Sequence, residues 1–131
     1  MSPIFLTLDE VLALHENQIG RYRGRRGLRD LDLLSSAIGM PAATFDGVFL
    51  HDDLFEMAAA YLCHIARSHP LVDGNKRTAL AAALTFLWLN GFRLAAGESA
   101  VTDLVVKVAA GEVTKAEVAV FLKADSRPHR Q

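Results

Sequence analysis

Apolar residues recur along most of the chain at three- and four-residue intervals, the period of a helix with one buried face. Thr7 followed three residues later by Glu10 reads as a capping box and predicts a first helix from Leu8 to about Ile19, stopped by Gly20. After the loop RYRGRRGLRD, Asp30 can cap a second helix carrying Leu31, Leu34 and Ile38, which ends at Gly39 before Pro41. AATFDGVFLH loses the helical period, and its Asp46-Gly47 pair predicts a short hairpin or an ordered loop. Asp53 and Glu56 then cap a third helix reaching about Ser68, with Met57, Tyr61, Leu62 and Ile65 facing inward. Pro70 breaks the chain and leaves His69 extended or in a turn.

A fourth helix starts near Gly74 or Asn75, runs to Asn90 and ends at Gly91; being apolar almost all round, it is the expected buried centre. Val101 to Ala109 predicts a fifth helix, and the Thr114–Glu117 capping box a sixth, reaching about Ala124. The polar tail DSRPHRQ follows the last cap and is expected to fray. The pattern therefore predicts an all-α, compact six-helix bundle with one short extended flap before the third helix. Residues 1–125 would form a single domain and residues 126–131 a frayed tail.

Composition narrows the class. A chain of 131 residues, 51% apolar and 22% charged, can bury a core of its own. A net charge of -1 makes no electrostatic case for direct nucleic-acid binding. Cys63 stands alone, so no internal disulfide forms and a reducing cytoplasm fits. The apolar run from Ala79 to Leu89 is too short to span a bilayer, and MSPIFLTLDE lacks the basic and apolar regions of a signal peptide. The expectation is a cytoplasmic protein with no membrane contact.

Chemistry concentrates in HPLVDGNKRTAL, residues 69–80, where ionisable groups stand at the mouth of the most apolar helix. Gly74, Asn75 and Lys76 sit where that helix leaves its first N–H groups without partners, a partial positive charge suited to phosphate. Gly74 keeps no side chain between an anion and the backbone, while Lys76 and the Arg77 fork add formal charge. Asp73 is a hard oxygen ligand for Mg²⁺, and the imidazole of His69 can take a proton from an attacking hydroxyl. Together these groups make most of a phosphoryl or nucleotidyl transfer site. A structural reading stays open, with Asp73 a helix cap, His69 a loop histidine and Lys76-Arg77 a solvated first turn. Cations at a helix start have the wrong sign for its dipole, however, and that misfit argues for a bound anion.

HPLVDGNKRTALAAALTFLWLNG resembles the signature of the Fic/Doc family, His-Pro-Phe-x-Asp-Gly-Asn followed by Gly or Lys and then Arg. The form with Lys, Arg, Thr and Ala is similar to the Doc branch, the "death on curing" toxins of toxin–antitoxin pairs. LHENQIGRYRGRRGLRDLDLLSSAIGMPAATFDG and DLFEMAAAYLCHIARSHP resemble the preceding helices, so nearly the whole chain is covered. The resemblance implies that His69 is a general base acting on a Ser, Thr or Tyr hydroxyl, and that Asp73 holds Mg²⁺ on the phosphates of ATP. It further implies that Gly74, Asn75 and Lys76 line an anion hole, that Arg77 contacts phosphate, that Arg67 can point into the site, and that Ala43 to His51 form a flap aligning the target peptide.

Against the adenylylating Fic pattern, Lys76 replaces a glycine and Leu80 replaces a distal arginine. Both changes are shared with Doc, whose members transfer the terminal phosphoryl group to elongation factor Tu and arrest translation. Leu71 for Phe is apolar for apolar, and Gly74 leaves the backbone as open as in Fic enzymes. A Doc-like kinase toxin, a Fic-type adenylyltransferase and an antitoxin-binding module with little catalysis are the readings carried forward. The chain lacks the Ser/Thr-x-x-x-Glu-Gly/Asn motif with which some Fic proteins inhibit themselves, so the resemblance implies inhibition by a Phd-like antitoxin whose C-terminal segment folds as a helix into a groove.

Other features add little. Arg21, Arg23, Arg25, Arg26 and Arg29 make either a solvated charge run or a partner contact. Cys63, Phe86 and Trp88 read as core residues. His15-Glu16 fails as a zinc-protease motif because position 19 is Ile19.

Overall fold

The structure is a computed structural model that describes residues 2–129. Among them are six α-helices: α1 (Leu8–Tyr22), α2 (Leu31–Gly39), α3 (Leu54–Ser68), α4 (Asn75–Leu89), α5 (Glu98–Ala109) and α6 (Lys115–Asp125). Two short antiparallel ladders accompany them, β1 (Thr44–Phe45) with β2 (Val48–Phe49) and β3 (Phe92–Leu94) with β4 (Ser126–Pro128). A single 3-10 turn, Met40–Ala42, follows α2. The caps act where the residue types require them. Thr7 and Glu10, and Thr114 and Glu117, close reciprocal capping boxes, while Asp30 and Asp53 accept from the N–H groups of Leu33 and Glu56. Asp46 and Gly47 both have positive φ, the pair of conformations a two-residue type I′ hairpin demands.

α3 is the hub, packed by α4, α6, α2 and α5. Its fully buried alanines, with Ala79, Ala82 and Ala83 on α4, suit the close approach of two helix backbones. Tyr61 is wholly buried against Phe86, and its hydroxyl accepts from the Leu6 N–H at 2.9 Å, which fastens the N-terminal segment to the core. Asn90 fastens the same segment from the end of α4, receiving the Ile4 N–H and donating to the Ile4 carbonyl.

Four expectations are corrected. α1 passes through Gly20 and ends a turn later at Arg23, whose φ is 56°. Glycine inside a helix costs only about 1 kcal/mol, and the turn beyond it is held by the Arg23 N–H on the Ile19 carbonyl and by Arg77 over the Tyr22 ring. α5 begins at Glu98 rather than Val101. α4 is not buried all round: one face meets α3 while Leu80, Ala81 and Leu84 line an open cleft, and Trp88 is half-exposed and stacked on His129. Finally, the tail expected to fray from residue 126 is β4, held to β3 and flanked by hydrogen bonds from Ala95 to the Asp125 carbonyl and from His129 to the Gly91 carbonyl. The open edge of β3 supplies main-chain partners that a local reading of the tail does not contain. Residues 130 and 131 lie outside the described residues.

His51 and His64 meet beside Lys115, whose Nζ lies 3.5 Å from His64 Nε2. Burial first, and the Lys115 charge second, push both imidazoles below the ordinary histidine value of 6.5. The unfolded chain then binds protons that the folded chain refuses, so stability is full above that value and is lost as pH falls below it toward the folded values. Thermal unfolding followed between about pH 7 and 5 should show a falling midpoint, and His51→Gln with His64→Gln should flatten the dependence.

Candidate active site

Two loops make the site. The segment joining α3 to α4, residues 69–74, lies along the arginine-rich loop between α1 and α2, residues 23–30, and backbone bonds stitch them together. Arg29 and Asp30 both donate to the Pro70 carbonyl at 2.9 and 3.0 Å, Val72 donates to the Gly27 carbonyl at 3.0 Å, and Leu28 pairs with Leu71. Glycine permits this approach. A Cβ at Gly27 would meet Val72 at 3.0 Å, and one at Gly24 would lie 2.9 Å from Asp73 Oδ2. Asn75 closes the motif loop on itself, accepting the Leu71 N–H through Oδ1 and donating to the Leu71 carbonyl through Nδ2.

His69 caps the end of α3 in the left-handed region, φ 50° and ψ 55°, with its residue exposed at the cleft. Helices that end this way usually place glycine there, and a residue with a Cβ is strained by about 1–3 kcal/mol. A histidine held at such a point is a candidate for a functional position.

Asp73 does not cap α4. The N-cap is Gly74, at φ 76°, and no side chain caps the helix. The first N–H groups of α4 are therefore left facing the cleft that Gly74, Asn75, Lys76 and Arg77 line. A Cβ at Gly74 would approach Ile19 at 3.2 Å as well as straining the backbone. The Asp73 carboxylate accepts from the Arg25 and Gly74 N–H groups, at 2.9 and 2.8 Å, and these bonds hold its pKa below the ordinary carboxylate value. His15, buried on α1, places its Nε2 2.9 Å from the Asp73 carbonyl and so fixes the same residue from beneath. Arg77 lies over the Tyr22 ring, 4.2 Å from its centroid.

The cleft encloses about 850 Å³. Its polar end holds His69, Asp73, Gly74, Asn75, Lys76 and Arg77, and from there it runs between α4 and α5 past Leu80, Leu84, Val101 and Val105. The family model for the Fic/DOC family matches residues 5–87. Toxin Doc of Mycolicibacterium smegmatis is 47% identical over 92 residues, 70% of this chain and 68% of that protein. Protein kinase doc of Escherichia phage P1 is 38% identical over 117 residues, 88% of this chain and 90% of its own. The chain belongs to the Fic/Doc family. The words toxin and protein kinase in its relatives' names agree with the Doc-branch reading of Lys76 and Leu80.

One site expectation is not met within this Fic/Doc fold. Arg67 does not reach the cleft; its guanidinium donates to the carbonyls of Val108 and Val113 and braces the end of α3 against the α5–α6 turn. The first N–H groups of α4 are open, but the Asn75 side chain is occupied by Leu71, which leaves its backbone to face an anion. The β1–β2 flap stands apart from the cleft lining, with Phe45 and Val48 exposed. His15 went unassigned in the sequence, although its place four residues after Val11 and four before Ile19 puts it on the inner face of α1.

The residues fit a magnesium-bearing nucleotide. Asp73 is exposed and anionic, each of its oxygens keeping lone pairs free beside one N–H bond. No group of three metal-binding side chains occurs among the described residues, so a cation here would complete its shell with phosphate and water oxygens, as Mg²⁺ does.

Gly24→Ala and Gly20→Ala test the loop packing in opposite directions. Gly24→Ala forces Asp73 and Ile19 to shift and should cost about 1–3 kcal/mol in denaturant unfolding, with faster exchange of the Arg25 amide. Gly20 has nothing within 4 Å, so Gly20→Ala should stabilise α1 by about 0.5–1 kcal/mol.

Proposed function

We propose that the chain is a Doc-type toxin kinase that moves the terminal phosphoryl group of ATP, with Mg²⁺, to a Ser or Thr hydroxyl of a target protein in the cytoplasm. The target expected from the resemblance is elongation factor Tu, and the outcome is arrested translation. The observation that carries this reading is the uncapped start of α4, opening on the same cleft as His69 and Asp73.

Bound ATP would supply the phosphoryl group, and Mg²⁺ would offset its charge. His69 would accept the proton of the target hydroxyl, whose oxygen takes the terminal phosphoryl group while ADP leaves. The N–H groups at the start of α4, with Lys76 and Arg77, hold the negative charge of the phosphate oxygens. Asp73, kept in place by Arg25, Gly74 and His15, would hold the cation. Leu80 lies on the cleft wall where Fic enzymes carry an arginine, so the inner end of the cleft has an apolar side chain in place of a cation. That favours a nucleotide whose terminal phosphate, rather than its inner ones, meets the base.

Adenylyl transfer is the second reading, favoured by Gly74, which leaves the backbone as open as in Fic enzymes. The apolar walls of α4 and α5 also suit the helix of a Phd-like antitoxin, which would shut the cleft from outside.

ATP labelled on either the terminal or the inner phosphate distinguishes these readings when incubated with the protein and elongation factor Tu. Label from the terminal phosphate is expected in the target, and His69→Ala should lower its transfer by about 10²–10⁴-fold with little change in the unfolding midpoint, the residue being exposed. Label arriving only from the inner phosphate would establish adenylyl transfer instead.

A further inference from the structure

Of the five arginines between residues 21 and 29, Arg29 alone turns its side chain onto the motif loop's backbone. Its Nε donates to the His69 carbonyl at 2.5 Å and its Nη2 to the Ser68 carbonyl at 2.9 Å. Its own N–H and that of Asp30 hold the next carbonyl, Pro70. Three consecutive carbonyls, 68 to 70, are thus fixed by two residues of the neighbouring loop.

The middle residue of the three is His69, the left-handed end of α3. Two preferences oppose that conformation: a residue before proline favours the extended region, and a left-handed helix end favours glycine. Successive carbonyls of an extended chain point to opposite sides, so one planar fork reaches both Ser68 and His69 only while the turn at His69 is kept. The guanidinium also lies at the negative end of α3, where a cation is favoured.

We propose that Arg29 is a positioning residue for the reaction, its fork locking the turn at His69 so that the imidazole stays at the cleft. This rests on the reading of His69 as the base. Lysine carries charge but no rigid fork, and so restores only part of the lock.

The test uses the full chain with Arg29→Ala and Arg29→Lys, and with Arg26→Ala as a control, since Arg26 pairs with Glu16 at the surface. For each variant the HN–Hα coupling and Cα shift of His69 report its backbone, magnesium-ATP titration reports affinity, and the transfer rate is taken at saturating nucleotide. Arg29→Ala should move His69 out of the left-handed signature and cut the rate by about 10- to 100-fold, while affinity stays within about twofold. Arg29→Lys should fall between, and Arg26→Ala should match the parent. The proposal is overturned if Arg29→Ala keeps the rate within about twofold, or if rate and affinity fall together while His69 keeps its left-handed signature. Should the parent chain transfer no phosphate, the kinase reading fails by itself, and the His69 signature in Arg29→Ala still decides whether the lock exists.

Discussion

A few main-chain hydrogen bonds between residues 27–30 and 70–72 hold the rest of the site in place. Neither loop has regular structure of its own, and each supplies the donors or acceptors that the other lacks, as backbone groups removed from water require. Glycines at 24 and 27 let the chains come close enough to bond, and Asn75 folds the second loop back on Leu71. From that join the geometry spreads outward: Pro70 anchors His69 on one side, and Asp73, gripped by the Arg25 amide and by His15, stands on the other. The candidate residues lie on loops, but on loops tied to one another and to the core through α1 and α3.

The start of α4 is where stability and function pull apart. An ordinary helix would place Ser, Thr, Asp or Asn at its N-cap and acidic residues in its first turn. α4 instead has a left-handed glycine, no capping side chain, and two cations. Each choice weakens the isolated helix and is one that a bound anion would favour. The helix tolerates this because its stability comes from tertiary packing, with Thr78, Ala79, Ala82, Ala83, Phe86 and Leu87 all buried. The same division explains its apolar composition, one side packed in the core and the other lining the cleft.

What could be read from the residues alone follows from how local each feature is. The capping boxes and the Asp46-Gly47 turn are encoded within a few residues, and the structure bears them out; His69, Asp73 and the start of α4, also near one another in sequence, line one cleft. The pairing of β3 with β4 joins residues more than thirty apart, so a polar tail gave no sign of it. Gly20 marks a helix end only when nothing holds the following turn, and here Arg23 bonds back to the Ile19 carbonyl while the Tyr22 ring lies under Arg77. Arg67 stands two residues from His69, yet its place on α3 aims it at the carbonyls of Val108 and Val113, at the α5–α6 turn. The arginine loop read as a charge run because a sequence shows the charges, whereas its contribution to the site is mostly through backbone groups and glycines. The resemblance to the Fic/Doc family was legible in the motif and the helices before it, and the family model matches that same stretch, residues 5–87.

The central claim is that the N-terminal N–H groups of α4 receive the phosphates of a nucleotide. Titration of the ¹⁵N-labelled protein with magnesium-ATP reads this directly at each amide. The amides of Gly74, Asn75, Lys76 and Arg77 should shift progressively and saturate together, while those of the flap turn, Asp46 and Gly47, stay still. If the α4 amides do not move at saturating nucleotide, the phosphates are not held there and the account is wrong.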